Sequence, residues 1–270
     1  MAKERIQFEK IFNTRDLGGY ITKEGRVIKP KKLIRSGALF HCSENDINKL
    51  VNEYELRTIV DFRNDNEINQ QPDPVLENVK HIQLNVFKEP LGPITREKRW
   101  KDDDPLGLYF LLEDSIRKEL ESGEVPTFYD GFVVDEHSVN QYKAFMEVLL
   151  NNKEGSTLWH CSAGKDRCGM GSVYLLKALG MSDELIYEDY LASNDYFEEV
   201  SVRLCKIADE RGLDTSFHDV IRAVNGVRKE FLDRVYALCD ELYGGMDKFL
   251  EQRLGLDEAK IKALRDLYLD

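Results

Sequence analysis

The chain has 270 residues, of which 42% are hydrophobic, and a formal net charge of −12. By length, one large domain is as likely as two, and the acidic balance argues against a general nucleic-acid binder, which needs a basic face. No apolar run predicts membrane insertion, and the five cysteines form no disulfide framework or CxxC pattern. We therefore expect a cytoplasmic protein, or a secreted one if a signal peptide is missing from this sequence.

The first 90 residues are predicted to combine short strands with one helix. A short strand is predicted at 32–35, and buried strands are predicted at 56–62 and 79–86. Residues 43–46 have the residue types of an N-terminal capping box, so a helix should follow them. Asp61 and Arg63 end the second strand, where ligand sites gather in open α/β sheets. Taken alone, the pair is equally consistent with a structural ion pair.

Residues 88–137 form a long segment between two predicted core elements, with helical periodicity over 106–120. A segment of this length is usually functional, so we predict a helical lid; a solvated surface excursion is the alternative. An amphipathic core helix is predicted at 138–150. After the central motif, the chain is helical to its end. Helices are predicted at 182–191, 195–209, 217–225, 229–243, near 249 and at 258–267.

The central motif is the ten-residue string HCSAGKDRCG at 160–169. An apolar strand at 156–159 precedes it, and a helix is predicted from 169 to 179. A tight loop between a strand and a helix N-terminus can turn its N–H groups towards an anion such as phosphate. The same field favours the thiolate of Cys161, and Arg167 can bind two phosphate oxygens. The string therefore predicts a phosphate-binding loop (P-loop) that carries its own nucleophile.

HCSAGKDRCG resembles the HC-x-AGKDR-TG signature of the atypical bacterial tyrosine phosphatases. Four further segments resemble that family in the same order: NTRDLGGY at 13–20, RSG at 35–37, TIVDFR at 58–63, and YGGMD with LGL at 243–256. The resemblance spans nearly the whole chain. It implies a single domain over residues 1–270 with an α/β cysteine-phosphatase fold, in which a mostly parallel twisted sheet lies between helices. It also implies a lid at 88–137 and a helical C-terminal part, 182–270, on the same core.

The resemblance implies a hydrolase that dephosphorylates phosphotyrosine, with dual specificity for phosphoserine or phosphothreonine, or phosphoinositides, as an extension. Its partners would be phosphorylated proteins or inositol lipids, and it would use no cofactor and no metal. Cys161 would form a cysteinyl-phosphate, and Arg167 would hold the phosphoryl oxygens. The candidates for the general acid, in order, are Asp166, Asp61 and, third, Asp130 with Asp135. The third pair would lie in the loop before the helix at 138–150, by analogy with phosphatases that use a mobile acid loop. The expected substrate-binding residues are Arg63, His160, Ser162, Ala163, Gly164, Lys165 and Cys168.

Cys168 departs from the family pattern, which usually has Ser or Thr here. A thiol is a weaker donor than a hydroxyl, so we expect slow breakdown of the phosphoenzyme; a protective Cys161–Cys168 disulfide is the alternative. Two other functions stay open for the whole chain. One is a rhodanese-like sulfurtransferase, which Arg167 and the Lys-Asp pair disfavour, and the other is a catalytically weak module that binds phosphorylated ligands. The oligomeric state is not predicted.

Overall fold

The computed structural model describes residues 6–88 and 104–270, which form one mostly parallel sheet with helices packed around it. The strands are β1 (Arg15–Asp16), β2 (Leu33–Ser36), β3 (Leu56–Asp61), β4 (Lys80–Gln83) and β5 (Ser156–His160). The helices are α1 (Glu44–Asn48, extended by a π-helical turn at Lys49–Glu53), α2 (Asp65–Gln70), α3 (Gly107–Ser122), α4 (Phe128–Val134), α5 (Glu136–Asn151), α6 (Asp166–Leu179), α7 (Asp183–Leu191), α8 (Ser193–Glu210), α9 (Phe217–Asn225), α10 (Lys229–Tyr243), α11 (Met246–Gln252) and α12 (Glu258–Tyr268).

The sheet has the strand order β1-β2-β5-β3-β4, and only β1 runs antiparallel to its neighbour. β5 lies at the centre, and all five of its residues are buried. Its last residue, His160, is in register with Ser36 of β2 and Asp61 of β3. Three strands therefore end at one edge of the sheet, where α/β proteins place their ligand sites. The predicted α/β class is confirmed.

β4 differs from the buried strand that was predicted at 79–86. It covers only Lys80–Gln83 and forms the edge of the sheet beside β3. Three of its four side chains are exposed, and only Ile82 is partly buried. The prediction of a buried strand was wrong because apolar residues on both sides of 80–83 were read as one strand. A polar edge strand needs no cover on its outer side.

α4 and α5 replace the loop that was expected to carry two candidate acids. Asp130 lies inside α4 and pairs with Arg234, at 2.8 and 2.6 Å. Asp135 is the N-cap of α5 and accepts a hydrogen bond from the backbone N–H of Ser138 at 3.1 Å. The prediction that these two acids lie on a mobile loop was therefore wrong, because α4 is a helix anchored in the core through the fully buried Phe132.

α3, the first described helix of the predicted lid, packs on the C-terminal helices. Leu108, Tyr109 and Leu112 share a hydrophobic cluster with residues of α8 and α9, and the hydroxyl of Tyr109 donates to Asn225 at 2.9 Å. The basic residues at 96–101 lie outside the described residues, and closure of a lid stays a prediction. None of the described helices combines the length and apolarity needed to cross a bilayer.

Candidate active site

The loop between β5 and α6 places Cys161 at the carboxyl edge of the sheet. Cys161 directly follows the last residue of β5 and is almost completely buried. Gly164 turns the chain with a φ of +71°. A Cβ atom on Gly164 would lie 2.5 Å from the carbonyl oxygen of Ser36 and 2.6 Å from the nitrogen of Gly37. Only glycine therefore allows the loop to pack this closely against β2.

Helix α6 begins at Asp166, three residues earlier than predicted, so Arg167 already lies in its first turn. The backbone N–H of Gly169 donates to the carbonyl of Lys165 at 2.9 Å. The N–H groups of residues 162–164 and 166–168 donate to no other residue in the described ranges. Unpaired N–H groups at a helix N-terminus attract anions, so this backbone can receive phosphate oxygens.

Arg167 is fixed by a carboxylate that sequence reasoning missed. Its two terminal nitrogens lie 2.6 and 2.7 Å from the oxygens of Glu67, and the hydroxyl of Ser162 donates to the same carboxylate. Burial works to raise the pKa of Glu67, but Arg167 and Ser162 outweigh it and lower the pKa to about 2. Glu67 also forms a capping box with Asn64 at the start of α2. That box was the available sequence signal.

Asp189 holds the loop from the other side through two buried arginines. Its carboxylate accepts from Arg15 at 2.8 Å and from Arg35 at 2.6 Å. Arg35 in turn donates to the carbonyl of Gly164 at 2.9 Å, and Asn13 donates to another loop carbonyl at 3.0 Å. Burial opposes ionisation of Asp189, but the arginines lower its pKa to about 2. The family-like segments at 13–20 and 35–37 thus support the loop, whereas no sequence pattern pointed to Asp189.

Asp61 and Arg63 form a buried ion pair behind the loop. The guanidinium contacts Asp61 at 2.7 Å and Asp73 at 2.8 Å, and both members of the pair are at most 1% exposed. His160 lies 3.0 Å from Asp73, and its other ring nitrogen lies 3.2 Å from the carbonyl of Cys161. Burial lowers the pKa of His160, but the two aspartates outweigh it and raise the pKa. The geometry favours structural roles for Asp61, Arg63 and His160.

Asp166 is the candidate acid that lies on the loop itself. Its side chain is 20% exposed, whereas that of Asp61 is fully buried. The hydroxyl of Tyr129 donates to Asp166 at 2.6 Å and lies 2.6 Å from the hydroxyl of Tyr190. Burial and the nearby carboxylate raise the pKa of Tyr129 well above 10, so it stays a neutral donor. The tyrosine pair therefore orients Asp166 while leaving it in reach of solvent.

Lys165 is directed towards α9. Its ammonium donates to the backbone carbonyls of Val224 and Gly226, at 2.7 and 2.8 Å, and lies 3.9 Å from Asp166. These carbonyls belong to the end of α9, where a cation is favourable. The expected contact of Lys165 with substrate stays a prediction, and in this arrangement the side chain ties the loop to α9.

Cys168 packs beneath the loop as a neutral thiol. It is fully buried, and burial raises its pKa to about 12 although Arg35 acts in the opposite direction. Its sulfur lies 3.5 Å from the carbonyl oxygen of Trp159, to which it donates. A neutral thiol is a poor nucleophile, which weakens the case for rapid disulfide formation with Cys161.

The described residues contain one group with metal-ligand chemistry. The ligand atoms of Asp61, Asp73, His81 and His160 lie within 4.8 Å of one another. The sequence shows no set at ligand spacing, because these residues come from separate strands and one connecting segment. Of these four residues, only His160 adjoins the phosphate loop, because it directly precedes Cys161.

A buried thiol, backbone N–H groups without partners and a guanidinium held by a carboxylate, all at the edge of a parallel sheet, are the arrangement expected of a phosphatase site. The sequence profile of the tyrosine phosphatase family matches residues 6–270. The chain therefore belongs to the tyrosine phosphatase family and is an enzyme of that type, which confirms the resemblance.

Three relatives agree with this assignment. A Cupriavidus necator protein, whose name places it provisionally among the tyrosine-protein phosphatases, is 27% identical over 263 residues, or 97% of this chain and 88% of the relative. The triple specificity protein phosphatase PtpB of Mycobacterium tuberculosis is 31% identical over 121 residues, covering 42% of this chain and 43% of the relative. A tyrosine-protein phosphatase of Nostoc commune is 29% identical over 139 residues, covering 48% and 44%.

The Glu67–Arg167 pair predicts a specific acid dependence of stability. The pKa of Glu67 falls from 4.5 to about 2 on folding, so its stabilisation is complete above about pH 4.5 and is lost as the pH falls towards 2. We expect the free energy of unfolding, measured with urea, to fall as the pH is lowered from about 5 to about 3. The fall should be steeper for wild type than for Glu67→Gln, by up to about 1.4 kcal/mol per pH unit.

The control is Glu113→Gln, which breaks a partly exposed pair with Arg117 in α3. Surface ion pairs contribute little, so this variant should keep the wild-type slope. Equal slopes for wild type and Glu67→Gln would contradict the account of Glu67.

Proposed function

We propose that the chain hydrolyses phosphotyrosine monoesters through a cysteinyl-phosphate on Cys161. The observation that carries this proposal is the loop from Cys161 to Arg167, where unpaired N–H groups and a guanidinium fixed by Glu67 surround the thiol. These groups stabilise negative charge that develops on phosphoryl oxygens. They also favour the thiolate over the thiol, which is the form that attacks phosphorus.

The reaction has two displacements at phosphorus. The sulfur of Cys161 attacks, the bond from phosphorus to the tyrosyl oxygen breaks, and that oxygen takes a proton from a general acid. Water then attacks the cysteinyl-phosphate, gives its proton to the same group, and releases inorganic phosphate and the thiolate. Arg167 and the loop backbone bind the non-bridging oxygens in both steps, so one anion site serves the whole cycle.

Asp166 is our proposal for the general acid and base. It lies on the loop, its carboxylate is partly exposed, and Tyr129 holds it at 2.6 Å. Asp61 is fully buried and paired with Arg63, and Asp130 is paired with Arg234 on the surface of α4. A group that transfers a proton must reach the substrate oxygen, and only Asp166 of these three adjoins the anion site.

Substrate breadth is the finer part of the proposal. The name of the Mycobacterium tuberculosis relative gives that protein triple specificity. Together with the likeness over 121 residues, this supports phosphothreonine and phosphoserine as further substrates, and inositol phospholipids as a third class. Family membership favours phosphate transfer over the sulfurtransferase alternative.

Assays of phosphate release test the proposed nucleophile and the substrate class. Phosphate release should be measured from a phosphotyrosine peptide, a phosphothreonine peptide and a panel of inositol phospholipids, without added metal. Wild type should turn over phosphotyrosine, and Cys161→Ser should abolish turnover because a serine hydroxyl is not ionised at this site.

Cys42→Ser is the matched control and should keep wild-type activity. Burial raises the pKa of the Cys42 thiol to about 11, so this cysteine is not a thiolate at neutral pH. No turnover by reduced, folded wild type would refute the phosphatase proposal and favour a binding module or sulfur transfer, which a cyanide and thiosulfate assay separates.

Loss of the proposed general acid should slow proton transfer to the leaving oxygen. Asp166→Asn should lower kcat by about 10²-fold or more on a phosphotyrosine peptide. It should lower kcat much less on an aryl phosphate whose leaving group needs no proton. Asp130→Asn, which removes only the surface pair with Arg234, should leave both rates unchanged. An equal loss on both substrates in Asp166→Asn would assign Asp166 a structural role.

Cys168 should slow the second displacement. The thiol donates to the carbonyl of Trp159, so it gives the leaving thiolate little help in the second displacement. A serine hydroxyl is a stronger donor, and Cys168→Ser should raise the rate of phosphoenzyme breakdown several-fold in rapid-quench kinetics. Unchanged or slower breakdown in a folded variant would show that the thiol does not limit turnover.

A further inference from the structure

A buried cluster behind the phosphate loop has the composition of a transition-metal site. Four residues each offer one ligand atom, and these atoms lie within 4.8 Å of one another: Asp61, Asp73, His81 and His160. Nε2 of His160 lies 3.0 Å from Oδ2 of Asp73, and Nε2 of His81 lies 3.5 Å from the same oxygen. Tetrahedral ligands at zinc distances are about 3.3 Å apart, so the two measured separations bracket the required value.

One ligand atom of the cluster is buried without a hydrogen bond. Nε2 of His160 lies 3.0 Å from Oδ2 of Asp73 but lacks the alignment of a hydrogen bond. That oxygen is itself paired with Arg63 at 2.8 Å. A buried polar atom without a partner is costly. A cation bound at Nε2 would satisfy this nitrogen.

The other ring nitrogen of His160 fixes the tautomer that a metal requires. Nδ1 lies 3.2 Å from the carbonyl oxygen of Cys161, which can only accept, so Nδ1 carries the proton in this hydrogen bond. A metal ion would then bind at Nε2, in the place of a second proton. Metal-binding histidines commonly donate their second nitrogen to a backbone carbonyl in this way.

Charge in the cluster also favours a cation. Asp61 and Asp73 supply two negative charges, and Arg63 supplies one positive charge through ion pairs of 2.7 and 2.8 Å. These three side chains together leave one negative charge, which a cation at Nε2 of His160 can compensate. His81 is 42% exposed and gives an ion a path from solvent to the buried ligands.

We propose that His81, His160 and Asp73 form a binding site for Zn²⁺, with Asp61 as the neighbouring carboxylate. Two imidazoles and one carboxylate suit Zn²⁺ rather than Mg²⁺, which prefers oxygen ligands. Because His160 ends β5 and Cys161 follows it, the ion would brace the strand end that carries the nucleophile. The site is separate from the phosphate-binding backbone, and metal binding can be measured without reference to activity.

The test is Zn²⁺ binding to the reduced full-length protein, by equilibrium dialysis with metal analysis and by competition with a chromogenic chelator. Four proteins are compared: wild type, His81→Ala, Cys161→Ser and His218→Ala. His218 pairs with Asp209 at 2.9 Å, and no third ligand joins that pair within the described residues, so it is a matched control.

We expect one Zn²⁺ per chain for wild type, Cys161→Ser and His218→Ala, and binding weaker by at least about tenfold for His81→Ala. X-ray absorption of the zinc complex should show nitrogen and oxygen neighbours and no sulfur. Loss of binding in Cys161→Ser, or sulfur in the spectrum, would place the ion on the thiolate and overturn the proposal. Equal binding by His81→Ala and wild type, or no binding by wild type, would also overturn it.

Discussion

The phosphate loop depends on buried carboxylates that the loop does not contain. Its backbone leaves N–H groups free for an anion, and its guanidinium would be free to move without Glu67. Asp189 fixes the opposite side through Arg15 and Arg35. Removing one partner of such a buried pair typically destabilises a protein by about 3–5 kcal/mol. The site is therefore positioned by long-range ion pairs rather than by the conformation of the loop alone.

The same arrangement reconciles an acidic protein with an anionic substrate. The net charge of −12 would repel phosphate at long range. Near Cys161, Glu67 is paired with Arg167, and Asp189 is paired with Arg15 and Arg35, so the charge of these two carboxylates is compensated locally. The unpaired N–H groups at the start of α6 add positive partial charge at the loop. A focused field of this kind can exceed the effect of net charge.

Local signals predicted much of the structure, and distant contacts supplied the rest. The strand, loop and helix around HCSAGKDRCG were predicted because each element has its own pattern. The bounds of α9 and α10 match the predicted 217–225 and 229–243 for the same reason. Glu67 and Arg167 are 100 residues apart, and Arg15 and Asp189 are 174 residues apart. No periodicity links such positions, so their pairing became visible only when the chain was folded.

The most direct test of the account is to trap the covalent intermediate. Wild-type enzyme would be mixed with a phosphotyrosine peptide, quenched in acid within milliseconds, digested and analysed by mass spectrometry. The account predicts one added phosphoryl group on the peptide that contains Cys161, absent from Cys161→Ser and lost once the substrate is exhausted. A catalytically active enzyme without this adduct, or with the phosphoryl group on another residue, would contradict it.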